Sequence, residues 1–387
     1  MKVLILSTYR NAGGAAVAAS RLLHALQNQG VEAAMLCRRN LSWWLGKPQS
    51  WESIIERMVI WAQNGFSLRN LWTRDIALFG QDVTRHPDYA DADVIHLHWT
   101  NQGFISLATL QKIVGSGKKV VITMHDMWWC SASRHTPDIP DRGDITRKAE
   151  IYRKGNIDFV TVSSWLRDIA AATPLMQGQR ISIIPNTISL QDFPLRDKSQ
   201  CRQRLGISAD RLVVTICASK VDDPVKDFPM LISALQSLCS FHPEWQQRLL
   251  LRIIGNMSDA TMLDALPVEC DLLGRLASTA DISCQYGATD IVVSTSTYET
   301  FGQTIIEAMA SGAVPVAFGN SGQRDIIRHR ANGYLVDERT PEAFAQGMAW
   351  ALTEGRHIPR TELHEEVARK YSEESVARQY LAIYSQS

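Results

Sequence analysis

The sequence predicts an α/β protein made of two doubly wound parallel-sheet domains. Three observations carry this prediction. Short apolar runs alternate with longer stretches of helical periodicity, the alternation fills residues 1–190 and starts again after them, and a polar stretch, 191–204, separates the two series. A chain of 387 residues also suits two or three domains at roughly 100–200 residues each.

In chain order, Val3–Leu6 reads as a buried first strand. Ala15–Gln29 follows as a helix, with Val17, Leu22, Leu23 and Leu26 on one face and Gly30 as its stop. Ala33–Cys37, Val94–His98, Val120–Met124, Phe159–Val162 and Ile181–Ile184 read as further strands, each bounded by turn or helix signals. Pro185-Asn186-Thr187 then leads into the polar stretch, read as a linker. In the second half, Leu212–Cys217, Leu249–Ile254, Ile291–Ser294 and Val314–Ala317 read as buried strands, with helical patterns near Met230–Cys239 and Thr300–Ala310. Glu373–Tyr384 is an amphipathic tail helix. The expected division is 1–190, 191–368 and a tail, 369–387, returning to the first domain. Two such domains are expected to bind ligands outside the carboxyl ends of their strands, in a cleft between them.

Composition removes several classes. Hydrophobic residues at 45% and charged residues at 21% exclude whole-chain disorder. Lys+Arg and Asp+Glu are both 40, so binding nucleic acid through bulk charge is not expected. The balance hides an asymmetry: residues 1–190 hold 21 basic against 15 acidic side chains, and residues 191–387 hold 19 against 25. Nine of the eleven Trp lie in the basic half. The seven Cys form no Cys-x-x-Cys pair, which fits a reduced cytosol and neither a disulfide framework nor a zinc knuckle. The N-terminal apolar run is too short for a signal peptide, and no stretch approaches the roughly 20 apolar residues of a spanning helix.

Residues 40–75 break the β/α rhythm. They hold Trp43, Trp44, Trp51, Trp61 and Trp72 among Arg57, Arg69 and Arg74. Helices packing a local core are the preferred reading; the alternative is a surface that meets a partner or a lipid, where these arginines would meet an anionic leaflet with Trp anchors.

The strongest chemical signal is Tyr298-Glu299-Thr300-Phe301-Gly302-Gln303-Thr304-Ile305-Ile306-Glu307-Ala308-Met309-Ala310, directly after the strand Ile291–Ser294. Thr300 with Gln303 three residues on reads as a capping box, so the helix is expected to start at Thr300. Its first turn offers free N–H groups and the positive end of a dipole, a ready diphosphate site. Gly13-Gly14 after the first strand lets backbone approach a diphosphate or sugar. Lys220 and Lys226 lie in the loop after Leu212–Cys217, each a point charge without the bidentate fork of arginine. Asp91-Ala92-Asp93 precedes its strand, so it reads as a turn rather than a metal motif.

The Glu299-to-Glu307 run resembles the two-glutamate motif of retaining glycosyltransferases of family 4, with seven residues between the carboxylates, Phe-Gly among them and Glu-Ala-Met-Ala at the end. Gly13-Gly14, Lys220 to Asp227, Pro185-Asn186-Thr187, Leu273-Gly274-Arg275-Leu276 and Leu335-Val336-Asp337 extend the likeness over nearly the whole chain, although Lys220 stands where Arg is common and Asp227 and Thr187 stand where Gly is. The resemblance implies a GT-B fold, with the donor on the second domain and the acceptor on the first. It implies that Glu307 binds the nucleotide ribose, that Glu299 meets the donor sugar, that the amides of Phe301, Gly302, Gln303 and Thr304 hold sugar and phosphate, and that the backbone near Gly274 reads the base. Asn186 lies at the junction.

His96-Leu97-His98-Trp99-Thr100-Asn101 and Thr123-Met124-His125-Asp126-Met127-Trp128-Trp129 are similar to enzymes of colanic acid, O-antigen and exopolysaccharide synthesis. This implies a sugar-side role for His125 and Asp126. Trp128 and Trp129 either stack on a sugar face or pack the loop. Cys130 stands alone, so no zinc is expected there. The expected protein is thus a retaining hexosyltransferase in which Glu299, His125 and Lys226 serve the reaction. It needs no metal or other cofactor and uses a UDP- or GDP-sugar. Its acceptor is a saccharide carried on polyprenyl diphosphate, in the cytoplasm at the inner face of the membrane. An epimerase on the same fold and a silent scaffold of an assembly complex are the alternatives.

Overall fold

The first sheet has six strands, all parallel: β1 (Lys2–Ser7), β2 (Glu32–Cys37), β3 (Val94–Leu97), β4 (Lys119–Met124), β5 (Ile157–Thr161) and β6 (Arg180–Ile183), in the order β2-β1-β3-β4-β5-β6. The second is also six-stranded and parallel: β7 (Leu212–Lys220), β8 (Leu249–Asn256), β9 (Glu269–Gly274), β10 (Ile291–Ser294), β11 (Val314–Phe318) and β12 (Tyr334–Val336), in the order β12-β11-β10-β7-β8-β9. The computed structural model describes residues 1–38, 51–68 and 71–386. They divide into one unit of Met1–Thr187 with Glu373–Ser387 and a second of Ile188–Ser372.

Central strands of parallel sheets are covered on both faces, so they read as continuous apolar runs. β10, Ile-Val-Val-Ser, and β11, Val-Pro-Val-Ala-Phe, are buried throughout. β9, Glu-Cys-Asp-Leu-Leu-Gly, lies at an edge with no residue fully buried, and it carries no such run. The stretch 191–204 is not all linker: Lys198–Leu205 is a helix of the second unit, capped by Asp197, with Cys201 in a core cluster with Ile207, Val213, Leu250 and Cys284. Apolar residues there are too sparse to give a helical period.

The tail helix Glu373–Tyr384 completes the first unit. Val376, Ala377, Tyr380, Ile383 and Tyr384 share a core with Leu22, Leu23 and Leu26 of the helix Gly14–Asn28 and with Val3 and Ile5 of β1. Its two hydroxyls also satisfy polar groups inside the sheet. His96 of β3 lies 2.7 Å from the Tyr384 hydroxyl and 2.8 Å from that of Thr123, which lies 2.9 Å from the Tyr380 hydroxyl. Burial holds the His96 imidazole neutral, its pKa lowered to about 3.

The Trp-rich region departs from the expected local core, and its described arginines do not face a surface. Trp51–Gln63 is a helix whose buried face carries Ser53, Glu56, Arg57 and Ile60, while Trp51, Ile55, Met58 and Trp61 are exposed. Arg57 and Arg74 are buried rather than offered to a surface. The Arg57 guanidinium donates to the Leu71 and Arg74 carbonyls and pairs with Asp75; Arg74 donates to Ser133, Asn64 and the Arg142 carbonyl. Arg69, Trp43 and Trp44 lie outside the described residues. The arginine forks are consumed by loop carbonyls that would otherwise be buried unpaired.

Candidate active site

In an open parallel sheet, ligands bind beyond the carboxyl ends of the strands where the strand order reverses. The first sheet reverses between β1 and β3, the second between β7 and β10. The segments that follow these four strands carry Gly13-Gly14, His98, Lys226, and Glu299 through Glu307, and Lys220 ends β7. His125 follows β4, the neighbour of β3.

In the second unit, Lys226 ends a short turn, Pro224–Lys226, and its ammonium lies 2.5 Å from Glu299 Oε1. The Ser296 hydroxyl donates to the same oxygen at 2.9 Å. Burial pulls the Lys226 pKa down, but the Glu299 charge and hydrogen bond override it and leave it raised. Both side chains keep about a quarter of their surface exposed, 28% and 23%, so the pair is held and still reachable. Glu299 is fixed by its backbone on both sides: its N–H donates to Ser321 Oγ and its carbonyl accepts from Gly322 N–H. A Cβ on Gly322 would sit 2.3 Å from the Thr300 carbonyl, so this contact needs glycine.

The helix that follows is Gln303–Ala310, not one beginning at Thr300. Its N-cap is Gly302 at φ +117°, with no side-chain cap. The chain enters the helix through a left-handed turn at Gly302, so the Thr300/Gln303 pattern closes no capping box. The helix start still presents N–H groups with no acidic side chain in its first turn. Phe301 is buried, its ring edge-on to Tyr371, so only its backbone is left for a ligand. Gln303, Thr304 and Glu307 are each half-buried. Glu307 faces β7. Burial chiefly pushes the Cys217 thiol of that strand up to about 12, the Glu307 charge adds to the rise, and Tyr286 and Lys226 oppose it. Lys226, Glu299 and Glu307 therefore share one neighbourhood.

Asp227 explains itself in the structure. It sits at φ +49°, a conformation suited to glycine and tolerated by aspartate. Its carboxylate caps the helix Phe228–Phe241 through Met230 N–H and pairs with Arg339 at 2.6 Å. Arg339 also donates to the carbonyls of Thr295 and Ser296, and the Thr295 hydroxyl donates to the Lys226 carbonyl. Arg339 thus ties the lysine turn to the end of β10, a role that no local sequence pattern signals. Ser296 and Ser321 were also missed; the run Ser294-Thr295-Ser296-Thr297 after a buried strand is the signal that marks the first of them. Lys220 is exposed at the end of β7, and Gly274, at φ +63°, ends β9 two strands away.

In the first unit, Gly13 is the N-cap of the helix that Gly14 begins. His125 Nε2 lies 2.9 Å from His98 Nδ1, with the rings stacked. Burial pushes the His125 pKa down to about 4, against the pull of Asp126, so near neutral pH it offers a hydrogen bond and not a charge. Asp126 spends both oxygens internally, on Trp128 N–H, Trp99 Nε1 and His135 Nδ1. Trp128 and Trp129 pack the loop. Both are buried, and their indoles donate to the Asp75 and His98 carbonyls. Asn186 is half-buried on the segment after β6. Asp91 and Asp93 brace the start of β1, where Lys2 N–H donates to Asp93, at the opposite end of the sheet from His125.

The chain matches the model of Glycosyltransferase Family 4 over residues 12–192 and that of Glycosyl transferases group 1 over 200–371. It is 25% identical over 276 residues to D-inositol 3-phosphate glycosyltransferase of Thermobispora bispora, covering 67% of this chain and 62% of that one. It is 28% identical over 186 residues to the enzyme of that name from Geodermatophilus obscurus, covering 45% and 40%. It thus spans less than two thirds of these relatives' lengths. Among solved structures, sucrose-phosphate synthase of Thermosynechococcus elongatus superposes with a TM-score of 0.69 at 16% identity, over 99% of this chain and 98% of that one. HepE of Anabaena, in complex with UDP and glucose, gives 0.66 at 18%, over 100% and 99%. With one glycosyltransferase family model on each parallel sheet and these neighbours spanning both, the chain has the GT-B fold.

Proposed function

We propose that the chain transfers a hexose from a UDP- or GDP-sugar to a hydroxyl of a growing, lipid-linked bacterial surface polysaccharide, with retention of configuration. The observation that carries the donor side is the Lys226–Glu299 pair beside the start of the helix Gln303–Ala310, at the β7/β10 reversal. An incoming diphosphate competes with Glu299 for the Lys226 ammonium and takes the helix-start N–H groups. Positive charge then stabilises the leaving group, with no metal needed for that step. Released from Lys226, Glu299 is free to accept from donor-sugar hydroxyls. Glu307 accepts from the ribose. Retention follows from departure and attack on one face of the sugar, assisted by the phosphate. Neutral His125 serves as a hydrogen-bonding partner of the sugar.

UDP is the first base to test, because HepE is solved with UDP-glucose. Calorimetry with UDP and GDP, joined to a hydrolysis panel of nucleotide sugars, tests the reading. Glu307→Ala should weaken nucleotide binding by on the order of 2–4 kcal/mol, the loss of charge-assisted hydrogen bonds. Unchanged affinity removes Glu307 from the ribose. Turnover of the donor to an epimer without any acceptor selects the epimerase alternative.

For the acceptor side we infer docking on a lipid surface. Among the described residues, nine of the thirteen exposed large apolar side chains lie between Trp51 and Phe79. The exposed positions of the helix Trp51–Gln63 carry no charge, while its Glu56 and Arg57 face inward. That is the pattern of a helix lying in a membrane interface, with Trp at headgroup depth. No helix among the described residues is long and apolar enough to cross a membrane. Because Arg57 and Arg74 are used internally, attachment should be apolar in origin. Pelleting with phosphatidylglycerol vesicles should persist at high salt and fall roughly tenfold in Trp51→Ser. Pelleting abolished by salt would restore the electrostatic reading.

A further inference from the structure

We propose that His135 is the positioning residue of the His125 turn, its imidazolium clamped between the carboxylates of Asp126 and Asp75. The inference rests on the reading of His125 as a hydrogen-bonding partner of the sugar. His135 Nδ1 and Nε2 each lie 2.7 Å from a carboxylate oxygen, Asp126 Oδ2 and Asp75 Oδ2. A carboxylate only accepts, so both ring nitrogens must donate, and a neutral imidazole has one N–H. With both carboxylates ionised, as the Arg57 pair of Asp75 favours, the contact geometry calls for the doubly protonated ring, although the side chain is only 8% exposed and Asp75 is fully buried. A buried charge persists only where it is balanced. Here the balance is a row: Arg57, Asp75, His135, Asp126, alternating in sign and summing to zero.

Every element packed around the clamp takes part. Arg57 and Glu56 come from the helix Trp51–Gln63, and Glu56 accepts from the N–H groups of Ile76 and Ala77 beside Asp75. Trp99, after β3, donates to Asp126 and lies with its ring 5.7 Å from that of His135. Lys148, from the helix Thr146–Lys154, donates to the carbonyls of Trp128 and Ser131. The backbone is stitched at the same place: His135 N–H donates to Thr73, Asp75 N–H to Ser133, and Met127 N–H to His135. Burial alone pulls the His135 pKa down, and Asp126 with Asp75 drives it the other way, to about 10. The neighbouring His98 and His125 are held neutral by burial. His135 thus supplies the charged one of the three hydrogen bonds that fix Asp126, beside those of Trp99 and the Trp128 N–H, and Asp126 fixes the turn that displays His125.

The test uses the full chain with 15N-labelled histidine. At pH 8.5 an ordinary imidazole has lost its proton. The expected spectrum then holds one imidazolium, absent in His135→Gln, whose loss also shifts the His98 and His125 ring signals. Asp75→Asn should move the pH of half-loss down by more than one unit, and this variant decides the matter if His135→Gln does not fold. No imidazolium at pH 8.5, or no shift in Asp75→Asn, overturns the clamp. In folded His135→Gln, hydrolysis of UDP-glucose should fall at least tenfold while UDP affinity stays within twofold; unchanged hydrolysis would show that the clamp does not position the turn for reaction. If the wild-type chain turns over no nucleotide sugar yet shows the imidazolium, the functional reading fails and the clamp stands.

Discussion

The strand ends at or beside the two strand-order reversals occupy matching places in the two sheets, yet they handle charge in opposite ways. Beyond β3 and β4, charge is cancelled inside the protein: Asp126 is spent on His135, Trp99 and Trp128, and His98 and His125 are neutral. Beyond β7 and β10, the Lys226–Glu299 pair stays partly exposed next to a helix start. The fold supplies the location, and the loops decide whether it suits a neutral polyol or a diphosphate.

Removing one member of the buried row should break the first region most severely. Asp75→Ala leaves Arg57 and His135 without a shared counter-charge and should cost about 3–5 kcal/mol. At about 2–4 °C per kcal/mol the melting of the first unit should drop well over 5 °C, while nucleotide affinity is unchanged. A linked pH effect sharpens this. The folded pKa of His135 is raised above its ordinary value, so its stabilisation is fully present below pH 6.5 and is lost as pH rises through about 10. Thermal melts between pH 7 and 10.5 should therefore decline in the wild type more steeply than in His135→Gln.

Lys226→Ala breaks the second region. Turnover should fall by about 10²–10³, or roughly 3–4 kcal/mol, with nucleoside binding nearly intact. Equal loss of nucleoside and nucleoside-diphosphate affinity would mean a structural role instead. The smallest effect is expected from Asp227→Gly. Glycine accepts the left-handed backbone at no cost, so only the helix cap and the Arg339 pair are lost, about 1 kcal/mol in a thermal melt. A loss of donor turnover as large as that of Lys226→Ala would make Arg339 the true anchor of the lysine turn.

The parts of the fold legible in the sequence are those where burial on both faces leaves an apolar run, as in β4, β10 and β11. β9 was silent because Glu269 and Asp271 break up its few apolar residues, whereas the edge strands β2 and β6 keep short apolar stretches and were legible. The helix start at Gly302 was misread because a Thr-x-x-Gln pattern does not reveal that the intervening glycine turns left-handed. The Trp and Arg residues of 51–74 were legible as a composition but not as faces. Which side of a helix is buried depends on partners such as Asp75, 18 residues from Arg57. The same holds for the site: Glu299 and Lys226 each stand in a readable motif, but their 2.5 Å contact joins residues 73 apart in the chain. His135 had no motif at all, since its meaning lies in two carboxylates brought to it by the fold.

The tail helix has a consequence for how the protein is made. The first unit is closed by Tyr380 and Tyr384, yet the 185 residues of Ile188–Ser372 are translated between Thr187 and that helix. At roughly 5–20 residues per second, the ribosome needs about 10–40 s to cover that distance. Throughout that interval, the surface formed by Leu22, Leu23 and Leu26, and the polar edge of His96 and Thr123, await their cover. The core of the first unit therefore closes last, after the whole of the second unit has been synthesised.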